Sequence, residues 1–155
     1  MLVVGALSGS LGWLWWSGTR NRNVHFLPGA APAAWVVYPV PADPARHAPI
    51  ELGTVFTRSF VPDNTSRGAL LRIAAFRRYD VSLNGHSLSN RVARGRNWKH
   101  PDSFCLSPQE LRTGENKIEV RVWNSNAPPA LWLVLETGSE VLTSDEQWDA
   151  SYAGA

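Results

Sequence analysis

The sequence predicts an all-β protein, an antiparallel β-sandwich preceded by an N-terminal apolar helix. Three stretches carry that expectation. The first is Arg67 to Leu88, RGALLRIAAFRRYDVSLNGHSL, in which Gly68 to Phe76 reads as one strand and Tyr79 to Leu83 as another. In the second of these, Val81 and Leu83 alternate with Asp80 and Ser82, and Asn84-Gly85 then supplies two residues that tolerate positive φ, as a type I′ hairpin turn requires. The second stretch is Leu111 to Asn124, where Ile118, Val120 and Val122 form the inward face of a strand. The third is Leu2 to Trp16, LVVGALSGSLGWLWW, which is apolar or small and carries no charge.

The apolar stretch is about fifteen residues long, short of the ~20 needed to cross a bilayer untilted. It is too hydrophobic for a terminus left in water. Trp13, Trp15 and Trp16 stand at its end, where an aromatic belt would lie, with Arg20 and Arg22 beyond. A cleaved signal would want a basic start and a small-x-small site, and neither is evident. A buried core segment is the remaining alternative. The expectation is a membrane anchor through residues 2–16, taken as a transmembrane helix, with the domain outside the cytoplasm, although the two arginines favour the opposite orientation. The division expected is 1–18 anchor or signal segment, 19–32 linker and 33–150 sandwich.

Further along, Ala33 to Tyr38 is a short strand. Pro39 to Pro49 has four prolines in eleven residues and is a loop without ladder pairing. Leu52 to Val61 alternates Phe56, Arg58 and Phe60 with Val55, Thr57 and Val61, as a strand does. Ser89 to Phe104 is polar, basic and irregular, the longest excursion between strands. Ser107-Pro108-Gln109-Glu110 reads as one capped helical turn. Ala130 to Glu136 is a strand buried on both faces, and Val141 to Thr143 a short one. Six or seven strands result, with no clear closing strand before Ala155.

Composition narrows the function. The 155 residues make one domain's worth of chain, and a net charge of +2 is too small to imply a polyanion partner. Nine Arg and Lys between Arg58 and Lys99 face only Asp63 and Asp80, which is a local basic surface. It permits nucleic-acid binding, but no recognised motif supports it, so none is expected. Cys105 is the single cysteine, which excludes an internal disulfide and a Cys-based zinc site. His25, His47, His86 and His100 are scattered without ligand spacing, so no metal is expected. No phosphate loop, nucleophile elbow or separated carboxylate pair has a recognisable setting, and no cofactor or catalytic residue is assigned. Asp145, Glu146 and Asp149 cluster on a polar tail and read as a solvated end.

Taken in order, Phe56 and Phe60, Ala69 to Ile73, Tyr79 to Gly85, Leu111, Gly114-Glu115-Asn116 and Ile118 to Val120 resemble the galactose-binding-like jelly roll at the N-terminal side of α-L-rhamnosidases and related glycoside hydrolases. Trp35 upstream and Thr143 to Trp148 downstream resemble the rhamnosidase-type variant. The resemblance implies a carbohydrate-binding-like accessory domain, non-catalytic by itself; the apolar N-terminal segment, unlike a typical member of that family, adds the expectation of a larger glycan-active membrane protein such as a glycosyltransferase. The alternative is an N-terminal fragment of a rhamnosidase-type glycoside hydrolase.

A glycan site needs an aromatic platform beside planar polar groups. Trp98, with Arg94, Arg96, Asn97 and His100 on the longest loop, is the candidate. Its competing role is to plug one end of the sandwich. Trp123 and Trp132 alternate with apolar neighbours on their strands, so one of them is expected on an outer face, against another domain of a longer chain. Trp148 is expected to pin the tail to the core.

Overall fold

The computed structural model describes residues 2–24, 26–29, 31–38, 51–90, 97–125 and 127–154. Among the described residues a helix, α1 (Leu2–Arg20), precedes ten strands: β1 (Val36–Val37), β2 (Leu52–Phe60), β3 (Ala69–Phe76), β4 (Arg78–Leu83), β5 (His86–Ser87), β6 (Asp102–Leu106), β7 (Asn116–Asn124), β8 (Ala130–Thr137), β9 (Glu140–Thr143) and β10 (Asp149–Gly154). They form two antiparallel sheets. One runs β1-β8-β3-β6, with β9 sharing the β1 edge of β8; the other runs β10-β2-β7-β4-β5.

The core lies between the sheets and follows from period-2 alternation. Ile118, Val120 and Val122 of β7 and Leu131, Leu133 and Leu135 of β8 are all fully buried. They meet Phe56, Leu71, Ile73, Val81 and Leu83 in one cluster. Strand β8 is buried on both faces, as expected, because its outward Trp132 and Val134 are covered by Ala33 and Trp35. The Trp132 indole N–H donates to the Ala33 carbonyl at 3.2 Å. Between β1 and β9 the exposed edge of β8 is filled by Ser144, whose Oγ accepts from Leu133 N (3.0 Å) and donates to the Ala34 carbonyl (2.6 Å).

The hairpin tip between β4 and β5 is Asn84-Gly85, with φ of 53° and 83°, the pair of left-handed residues a type I′ turn needs. The turn Ser107 to Glu110 forms as a short 3-10 segment, Pro108–Glu110, in which Ser107 N donates to the Glu110 carboxylate at 2.8 Å.

Three expectations are corrected. The irregular excursion ends sooner than expected, because Asp102–Leu106 pairs with β3 from Ala69↔Leu106 to Ile73↔Asp102. A closing strand does exist: β10 pairs with β2, Asp149 opposite Thr57 and Tyr152 opposite Thr54, and carries the sandwich past residue 150. Trp148, buried and with its N–H on the Thr143 carbonyl at 2.9 Å, holds the approach to that strand. The third concerns α1. It is helical, but no helix among the described residues is long and apolar enough to cross a membrane. Its 19 residues reach roughly 28 Å against a hydrocarbon core of about 30 Å, and Ser8, Gly9, Ser10, Gly12, Ser17 and Gly18 dilute its hydrophobicity.

The β8–β9 turn has a pH-sensitive pin. Asp63 accepts from Ser139 N at 3.1 Å and from the Ser139 hydroxyl. That hydroxyl is the main reason the Asp63 carboxyl titrates below its ordinary value. A lowered folded-state pKa means the contribution is complete above the unfolded value and is lost as pH falls through the lowered one. Thermal melts of wild type and Asp63→Asn should therefore differ at pH 6 and converge as the pH falls below the ordinary carboxylate range and through the lowered value. A difference that persists unchanged at the acid end would remove Asp63 ionisation from the account.

Candidate functional site

The described part of the long loop, Asn97 to His100, is a tight turn in which His100 N donates to the Asn97 carbonyl at 3.0 Å and Lys99 N to Asn97 Oδ1 at 3.1 Å. It sits at the C-terminal end of α1. A helix leaves its last carbonyls without intrahelical partners, and this turn supplies them. Asn97 Nδ2 donates to the Arg20 carbonyl at 2.7 Å, Trp98 Nε1 to the Arg22 carbonyl at 3.0 Å, and the Lys99 ammonium to the Gly18 carbonyl. A cation at the negative end of the helix dipole is favourable. Burial nevertheless pulls the Lys99 pKa below its ordinary value. The helix closes locally as well: Asn21 N donates to the Ser17 carbonyl at 3.2 Å and Thr19 Oγ1 to the Trp15 carbonyl at 2.7 Å.

The Trp98 ring packs edge-to-face on Phe76, with centroids 4.4 Å apart and planes at 67°, and more distantly on Trp35 at 6.4 Å. The Lys99 ammonium lies 5.2 Å from the Trp98 centroid. Trp35 is itself held by the Pro28 carbonyl at 2.9 Å. This aromatic group covers the outer face of the first sheet and docks the base of α1 on it.

Of the residues expected around a ligand, Asn97, Trp98 and His100 come together here. Asn97 and Trp98 direct their side-chain N–H groups to the N-terminal segment, and His100 is exposed. Arg94 and Arg96 lie outside the described residues. Sequence reasoning missed Lys99, Phe76 and Trp35 as members of this cluster. Its one signal was a Trp-Lys pair in a polar loop with nothing nearby in sequence to cover the ring.

A second aromatic platform stands on the outer face of the other sheet. Trp123 points outward from β7, half-buried, between Gly53 of β2 and Arg78 of β4. The Arg78 guanidinium carbon lies 4.7 Å from the indole centroid and that of Arg121 at 5.9 Å. Arg78 also pairs with Glu51 at 3.2 Å, and Arg121 stands opposite Asp80. Gly53, its register partner on β2, is a buried residue without a side chain. Among the described residues no group of three His, Cys, Asp or Glu could hold a metal ion.

No protein-family model and no curated protein matches the chain. Solved structures do. A rhamnosidase from Bacillus sp. GL1 is 24% identical, with a TM-score of 0.59 over 78% of this chain and 13% of that one. The α-L-rhamnosidase of Streptomyces avermitilis, solved with L-rhamnose, is 24% identical, with a TM-score of 0.57 over 79% of this chain and 12% of that one. A lectin from Pleurotus ostreatus, solved with GalNAc, is 20% identical, with a TM-score of 0.56 over 81% of this chain and 37% of that one. The chain thus spans a small part of the enzymes and just over a third of the lectin. At these identities the likeness shows the fold alone: an antiparallel β-sandwich similar to one found within α-L-rhamnosidases and within this lectin.

Proposed function

We propose that the chain is a non-catalytic carbohydrate-binding accessory domain, tethered to a membrane by α1 on the extracytoplasmic side as part of a larger glycan-active protein. The observation that carries the reading is the pairing of a lectin-like sandwich with a helix whose large apolar side chains have no cover. Leu7, Leu11, Trp13, Leu14, Trp15 and Trp16 are each more than half exposed, from 53% to 66%. A contiguous apolar surface of this kind is costly in water and marks an interaction site. The helix lodges in the apolar layer without crossing it, and the aromatic latch at Trp98 fixes the sandwich to its base.

The sugar contact is at Trp123. An indole face and a pyranose face both shed water on stacking, and the neighbouring Arg121 and Asp80 can fix hydroxyls. Trp98 is the comparison, since its N–H and ring already hold α1. Calorimetric titration of oligosaccharides into the full chain in mild detergent is the test. Trp123→Ala should weaken binding about tenfold, and Trp98→Ala should lower the melting temperature with binding retained. Loss of binding in Trp98→Ala alone would move the site to the Asn97–His100 loop. If wild type binds no glycan, the sandwich is a structural appendage.

The second reading is an N-terminal piece of a rhamnosidase-type glycoside hydrolase, favoured by the likeness to rhamnosidases of which the chain covers 12–13%. A catalytic domain encoded beyond Ala155 would decide for it.

A further inference from the structure

We infer that the base of α1 is a docking surface for anionic lipid headgroups, formed by Arg20, Arg22 and Arg77. The inference rests on the membrane-tether reading and adds the lipid class to it. Arg20 closes α1 and Arg22 follows it, just beyond Trp13, Trp15 and Trp16. Arg77 comes from a different part of the chain, the bend between β3 and β4. It reaches the same end of the molecule because Phe76 packs on Trp98, and the Trp98 N–H holds the Arg22 carbonyl. The Arg77 guanidinium carbon lies 5.6 Å from the Phe76 centroid. All three arginines are exposed.

Depth and charge agree. Trp side chains settle at the boundary between hydrocarbon and headgroups. Four residues of helix separate Trp16 from Arg20, a rise of about 6 Å. The headgroup layer is roughly 5–8 Å thick on each side, so Arg20 stands among the phosphates when the tryptophans stand at the boundary. Arg22 and Arg77 lie beside it through the latch. Residues 1–24 contain no Asp or Glu. Three guanidiniums beside an apolar helix complement a surface that offers hydrocarbon below and negative charge above. Each basic residue near an anionic surface is worth about a fivefold gain in partitioning.

The test is co-sedimentation of the full chain with two vesicle preparations, phosphatidylcholine alone and phosphatidylcholine with about a third phosphatidylglycerol. Wild type should bind both and prefer the anionic vesicles at least about fivefold, with the preference lost near 0.5 M salt, where the screening length is only about 4 Å. Arg77→Glu should lose at least about fivefold on anionic vesicles and nothing on neutral ones, which also reports that its helix is intact. Lys117→Glu, the same charge change on the outer face of the other sheet, should change neither. Equal binding of wild type to both vesicles, or equal behaviour of Arg77→Glu and Lys117→Glu, would overturn the lipid inference and leave the tether standing. Binding to neither vesicle would overturn the tether reading itself.

Discussion

Gly68→Ala is expected to destabilise the sandwich by about 3–4 kcal/mol. Gly68 opens β3 with a φ of +71°, and a Cβ built there stands 2.1 Å from the Leu106 carbonyl oxygen. Two costs add. An L side chain in the left-handed region costs about 1–2 kcal/mol. The backbone carbonyl it meets cannot rotate away, because Ala69 and Leu106 are register partners and Leu106 ends β6. Relieving the clash means separating the first pair of the β3–β6 ladder, next to a core that includes Ala69, Leu71 and Leu106. Gly85→Ala is the control. Gly85 has a φ of +83° but nothing within 4 Å of the added carbon, so it should show only the conformational cost, about 1 kcal/mol. Chemical denaturation of both variants measures the difference. Equal losses would mean that the approach of Leu106 to Gly68 does not constrain the fold.

The contrast between these glycines shows what the sequence could convey. Gly85 was legible because it follows Asn84 between a strongly alternating strand and a short return. Gly68 was placed at a strand start, but its need for a bare backbone comes from a strand 38 residues later. That strand, β6, was itself illegible. Of Asp102, Ser103, Phe104, Cys105 and Leu106, only Leu106 is buried and only Phe104 packs partly buried against the core beside it, because β6 is an edge strand with one neighbour and a short inner face. The same holds for β10, an edge strand built from Asp149, Ala150, Ser151, Tyr152, Ala153 and Gly154. Central strands β7 and β8 announce themselves because both faces of the molecule depend on them. The site was harder for a related reason. Asn97, Trp98 and Lys99 act on backbone carbonyls 76 to 81 residues away, and a carbonyl carries no residue-specific signal. What composition did disclose was the anomaly that needs a partner, an apolar run ending in three tryptophans.

Asn116→Leu is expected to cost about 3–4 kcal/mol, although it replaces one fully buried side chain with another of similar size. The Asn116 amide is used completely. Oδ1 accepts from Arg112 N and from Asn84 Nδ2, both at 2.9 Å. Nδ2 donates to the carbonyls of Arg112 at 2.8 Å and Gly114 at 2.9 Å. Asn84 continues the network across the hairpin tip: its Oδ1 accepts from Lys117 N at 3.0 Å, and its own N–H donates to the Lys117 carbonyl at 2.8 Å. The two asparagines therefore staple the β4–β5 tip to the turn that feeds β7, and they explain why Asn84-Gly85 and Gly114-Glu115-Asn116 occur together. Leucine would bury the same volume while leaving the Arg112 N–H and two carbonyls without partners. A buried polar group left unmade costs about 1–3 kcal/mol, more than a made bond contributes. Asn116→Asp keeps both acceptor contacts and loses both donors, so its carboxylate would face the Arg112 and Gly114 carbonyls. It should be at least as damaging at neutral pH, whereas Asn84→Gly keeps the positive-φ turn and should be milder. Equilibrium unfolding of the three variants ranks them. If Asn116→Leu unfolds at the wild-type midpoint, the staple contributes nothing, and hydrophobic packing alone sets the register of the tip against β7.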